Sequence, residues 1–184
     1  MTASIKEYIQ EVSDSASQRA LYALFEAVRS ELAELKTDSV INAPTLSTGS
    51  TAENVATTAF QYRIDGVTYT KAAVTAGTAL GITDTINTGA ATGTFYGGFA
   101  AQINAGGTIT FKSAATDQVK TSEAAAEAVA RAITATAGNV IIGYFAVGAT
   151  ADADWVAGTD DLTAASDCTS VTYWSADADH FLTE

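Results

Sequence analysis

The chain has 184 residues, nine basic against 21 acidic side chains, and a formal net charge of −12. Nine scattered cations make no basic stripe to displace counterions from a nucleic acid, and no run of 18 apolar residues is present to cross a membrane. The lone cysteine, Cys168, excludes a disulfide framework and a thiolate metal cluster.

The N-terminus carries Lys6 and Glu7 and no apolar signal-peptide stretch. Residues 4–36 read as helical. Ile5, Ile9, Val12 and Ala16 step by four, three and four; Leu21, Phe25, Val28, Leu32 and Leu35 repeat the same rhythm out of phase. The slip falls at Ser13-Asp14-Ser15-Ala16-Ser17, a run of N-cap residues, so a short helix, a break or kink, and a helix from about Ser17 to Lys36 are expected. Glu26, Arg29, Glu31, Glu34 and Lys36 flank the second stripe as outer positions do in short bundles. The segment, residues 1–36, can lie on its own domain, or it can associate with copies of itself or anchor on a partner. For association, the expected stripe is Ile5, Ile9, Leu21, Phe25, Val28, Leu32 and Leu35. Residues 37–59 read as an extended linker or arm, since Asn42-Ala43-Pro44 cannot continue a helix and Thr45 to Thr58 is small and polar.

Residues 60–184 read as a β-rich body. Phe60, Tyr62 and Ile64 alternate with polar neighbours, Asp65-Gly66 follows, and Val67 and Tyr69 resume the alternation. Asp-Gly between alternating runs predicts a two-residue hairpin pairing Ile64 with Val67 and Tyr62 with Tyr69 on one apolar face. Residues 72–93 read as Ala/Gly/Thr loops with one short strand. A second hairpin is expected from Phe95 to Phe111, turning at Asn104-Ala105-Gly106-Gly107; Gly97 and Gly98 inside it predict a bulge or a close backbone approach. A helix capped by Thr121 or Ser122 follows, with an apolar stripe of Ala125, Val129, Ala132 and Ile133 and a stop at Gly138-Asn139. Val140 to Val147 is apolar on both faces, the pattern of a central strand. Val171 to Trp174 is the last strand expected. The fold class is therefore α+β: an N-terminal helical segment, then a mainly antiparallel, β-sandwich-like domain with one inserted Ala-rich helix.

Little in the chain reads as chemistry. His180 is the single histidine, and no G-x-S-x-G elbow, P-loop or G-x-G-x-x-G is present. Cys168 has no neighbouring cation to lower its pKa and reads as a small buried residue. Asp152, Asp154, Asp160 and Asp161 are the candidate metal ligands. They would suit calcium, but lack EF-hand spacing and read first as a solvated acidic loop. Trp155 and Trp174 are candidate ligand aromatics, the alternative being anchors in a core or interface. The expectation is a chain that is not an enzyme and holds no cofactor other than candidate calcium.

Four blocks of sequence resemble, in order, a pattern of tailed-bacteriophage virion proteins of the capsid decoration, cement or head-fibre kind. They are F-x-Y-x-I-x-G-V-x-Y-x-K at Phe60–Lys71, A-A-Q-I-N-A-G-G-T-I at Ala100–Ile109, N-V-I-I-G-Y-F-A-V at Asn139–Val147, and W-V-A-G-T-D-D-L at Trp155–Leu162. The resemblance spans roughly residues 46–174 and implies a homotrimer on the capsid exterior, assembled in the host cytoplasm. Its partners would be the major capsid protein and its own copies, not nucleic acid or a membrane. It brings no catalytic residues. A tail-fibre or carbohydrate-binding host-recognition module is the alternative, since fibre proteins share similar blocks.

Overall fold

A computed structural model describes residues 15–34, 38–86, 93–114, 117–150, 154–163 and 167–176. The chain divides at Thr37/Asp38 into two compact units. In the first, α1 runs from Ser15 to Glu34. Its Ala, Leu, Glu and Arg residues are strong helix formers and no Gly or Pro interrupts it. It starts two residues before the predicted boundary. Ile5, Ile9 and the expected shorter helix lie outside the described residues, as does Leu35.

The second unit begins with three short strands, β1 (Ser39–Asn42), β2 (Leu46–Thr48) and β3 (Asn54–Thr57). The hairpin β4 (Phe60–Ile64) and β5 (Val67–Lys71) follows, then β6 (Val74–Ala79) and β7 (Thr85–Ile86). Next come β8 (Thr94–Asn104), β9 (Ile109–Ser113), β10 (Asp117–Gln118) and α2 (Glu123–Arg131). The described strands end with β11 (Asn139–Thr150), β12 (Trp155–Val156) and β13 (Cys168–Ser175). They form four small sheets, ordered β13-β11-β8-β9, β1-β4-β5, β2-β3-β6 and β10-β7-β12. Among the described pairings only β10 with β7 is parallel. The fold is α+β, with mostly antiparallel, sandwich-like sheets, an N-terminal helix and an inserted one.

The first hairpin has the predicted register, Ile64 opposite Val67 and Tyr62 opposite Tyr69. Asp65 and Gly66 both take positive φ, 51° and 78°, which matches the turn to the twist of its strands. The Tyr62 and Tyr69 rings stack at 5.4 Å. In the second hairpin Ile103 faces Ile109, and the Asn104 carboxamide and carbonyl oxygens accept from Thr108 N and Gly107 N. β11 lies between β8 and β13, as a strand apolar on both faces should.

Three expectations are corrected. The arm at 37–59 is part of the body from Asp38 onward: β1 pairs with β4, β2 with β3, β3 with β6, and Val40, Leu46 and Val55 are buried in the core. Each of these strands has only three or four residues and few apolar side chains, too few to show a period. Among the described residues of the stretch at 72–93 there are two strands, β6 and β7, where one was expected. The inserted helix stops at Arg131, short of Gly138, and it buries Ala126 and Ala130 instead of the predicted stripe. The reason is Gly98: a Cβ built there would stand 2.2 Å from the Ala126 carbonyl oxygen. The helix backbone rests on the glycine, so only alanine fits on the contacting face. Gln118, itself buried, holds the same point, accepting from Gly98 N at 2.8 Å and donating to Gly98 O at 3.1 Å.

The core is aromatic where the strands are long. Phe145 stacks on Phe99 at 5.1 Å and meets Phe111 edge-on at 6.0 Å, and Tyr173 lies 5.8 Å away. Trp155 completes the group, edge-on to Phe99 at 5.7 Å.

Candidate functional surfaces

In α1, apolar side chains face solvent. Tyr22, Leu24, Phe25 and Val28 are 53%, 60%, 45% and 45% exposed, and Leu21 is half-buried. Leu32 continues the predicted spacing along the helix backbone. Isolated exposed apolar residues are ordinary, but a cluster of four on two turns is the mark of an interaction surface. A single ion pair, Arg29 with Glu26 at 3.8 Å, is described on this helix, and both side chains are exposed, so it adds little.

Among the described residues the candidate acidic side chains form no group of three or more. Asp152 lies outside the described residues and Asp154 is exposed. Asp160 accepts from Val156 N at 2.6 Å through its carboxylate, and the Asp161 carbonyl accepts from Trp155 Nε1 at 3.1 Å. These contacts fold a turn over the core. Among the described residues no group of three or more His, Cys, Asp or Glu side chains could hold a metal ion. The same loop is stapled to β2 and β13, since Thr48 Oγ1 bonds both the Leu162 carbonyl and Tyr173 OH, at 2.9 and 3.0 Å.

The two tryptophans part company. Trp155 is fully buried with its N–H satisfied, so it has no surface with which to meet a ligand. Trp174 is partly exposed and pairs in register with Tyr144, which places both side chains on the sheet face opposite the aromatic core, the face that α2 covers over β8. The Arg131 guanidinium lies 5.4 Å over the Tyr144 ring and is held by Glu127 at 2.8 Å. Beside Tyr144 runs a groove of about 430 Å³, lined also by Asp38, Asn139 and Ile141. Sequence reasoning grouped Trp155 with Trp174 and passed over Tyr144; the partner is legible only from the β11–β13 register.

Cys168 is buried, and burial pushes its thiol from an ordinary 9.0 up to about 11; Tyr173 is raised from 10.0 to about 12 by the same cause. Two outcomes are expected. The native protein should leave Cys168 unlabelled by a thiol reagent at pH 8, with labelling only on unfolding. Stability should fall as pH rises from about 9 to about 11, because the unfolded thiol ionises while the buried one keeps its proton. Rapid labelling of the folded chain, or an unfolding free energy flat across that window, would contradict this account.

No family model matches the chain, and no curated protein or solved structure matches it. No helix among the described residues is long and apolar enough to cross a membrane.

Proposed function

We propose that this chain is a non-enzymatic structural protein of a tailed-phage virion, a capsid decoration or head-fibre protein. Its N-terminal region joins copies of the chain into a trimer and holds them on the capsid, while the β body forms the bulk displayed outside. The observation that carries the reading is the exposed apolar cluster of α1, in a unit distinct from the body. Most helical stability in proteins comes from packing of an apolar face, so the exposed face of this 20-residue helix calls for company. The four sequence blocks support the virion assignment. A trimer suits a lattice with local three-fold positions, where multivalency compensates for weak single contacts. A charge of −12 keeps a densely arrayed protein soluble.

Removal of residues 1–37 tests the reading. Light scattering should give a trimer for the full chain and a monomer for the truncated one, and the truncated chain should fail to decorate purified capsids. Equal capsid occupancy by both would defeat the anchoring role, and a strictly monomeric full chain, with and without capsids, would defeat the trimer.

A further inference from the structure

We propose that the sheet face opposite the aromatic core, on its β11–β13 side beside α2 and around Tyr144 and Trp174, binds a saccharide unit. The site lies wholly within the β body and does not rest on the reading of α1.

Three features meet there. The first is an aromatic platform: Tyr144 and Trp174 are register partners on neighbouring strands, their side chains on one face about 5 Å apart at Cβ. The rings of Tyr and Trp offer a flat apolar body with a polar tip, suited to a ligand that is apolar on one face and hydroxylated at its rim. A pyranose has that shape, since its ring C–H groups gather on one face while its hydroxyls project around the edge.

The second feature is a set of planar polar groups beside the platform. Arg131 is fixed over Tyr144 by its contact with Glu127, so a guanidinium and a carboxylate are presented together in set orientations. Planar forked groups of this kind bond adjacent hydroxyls in pairs, and preorganisation lowers the ordering cost of binding. The third is room. The groove beside Tyr144, at about 430 Å³, falls within the range of small-molecule pockets, roughly 300–1,000 Å³. It is lined by apolar Ile141 together with Asn139, whose Nδ2 donates to the Ala137 carbonyl, and Asp38, whose Oδ1 accepts from Asp65 N, so their remaining amide and carboxylate valences are the ones left to pair with hydroxyls.

The balance of charge selects among ligands. Asp38 and Glu127 offset Arg131, so nothing concentrates positive charge for a phosphate, and a net charge of −12 repels one. A nucleotide, which would also stack on the rings, is thereby disfavoured.

Calorimetric titration of the full chain with lactose, chitotriose, maltotriose and adenosine monophosphate tests the assignment. At least one saccharide should bind saturably in the millimolar range. Trp174→Ala should weaken it by about tenfold, the scale of one lost stacking contact, and Trp174→Phe should retain most of the affinity. Asn139→Ala, which leaves the platform intact, should weaken binding as well, so the claim stays testable if Trp174→Ala fails to fold. No saturable heat from any saccharide, tighter binding of the nucleotide, or affinities unmoved by both the Trp174 and Asn139 substitutions would overturn the proposal.

Discussion

Gly98→Ala is expected to destabilise the β body by about 3 kcal/mol, the upper end of ordinary overpacking. The added methyl would stand 2.2 Å from the Ala126 carbonyl and 3.0 Å from Ala130 N, both backbone atoms of α2 that cannot rotate away. To admit it, α2 must lift from β8. That movement would loosen Ala126 and Ala130 from the core and break the paired bonds by which Gln118 grips Gly98 N and O. In a chain of this length the loss corresponds to a fall in Tm of about 10 °C. Gly106→Ala provides the contrast, because a Cβ there meets only the Asn104 side chain, at 3.2 Å, in an exposed turn. Thermal unfolding of the two variants should therefore differ sharply. Equal melting temperatures would mean that α2 does not bear on Gly98.

Under the proposed association through α1, Phe25→Glu combined with Val28→Glu is expected to leave the protein a monomer. Both side chains are 45% exposed in the single chain, so in isolation the change costs little. In a helical seam it would bury carboxylates against apolar partners and against each other, a penalty of several kcal/mol that lowers association by at least about 100-fold. The β body should keep its unfolding midpoint, as neither residue belongs to its core. Sedimentation or mass photometry at matched concentration reads the first effect and thermal unfolding the second. A variant as large as the wild type would show that the stripe is not the seam, whereas a variant that unfolds early would tie α1 to the stability of the body.

Parts of the fold were legible in the sequence because they depend on neighbours in the chain. The Asp65-Gly66 turn fixes its own register, since two positive φ angles allow one pairing of Tyr62 with Tyr69. Residues 140–147 are apolar on both faces, and a strand with two buried faces has to be central. The helical rhythm through Leu21, Phe25 and Val28 likewise placed α1. Where elements are short, the signal fails: β1, β2 and β3 each bury one or a few apolar residues, and a period cannot be read from so few. The stripe expected on α2 was misread for another reason. Val129 and Ile133 are the larger residues, yet the distance of approach over Gly98 admits only the face of Ala126 and Ala130.

For the candidate sites the division follows the same physics. The sequence by itself determined the charge, the lack of the common catalytic motifs, the two β-hairpins, and an apolar stripe along the N-terminal helix. The tertiary structure decided that Asp160 and the Asp161 carbonyl serve a turn, that Trp155 is sunk beside Phe99, and that Trp174 is the register partner of Tyr144, over whose ring Arg131 lies. Local spacing carries turns and periods, because those arise from adjacent backbone geometry. Which of two tryptophans meets solvent depends on contacts between residues as far apart in the chain as Tyr144 and Trp174, and only the packed sheet brings those together.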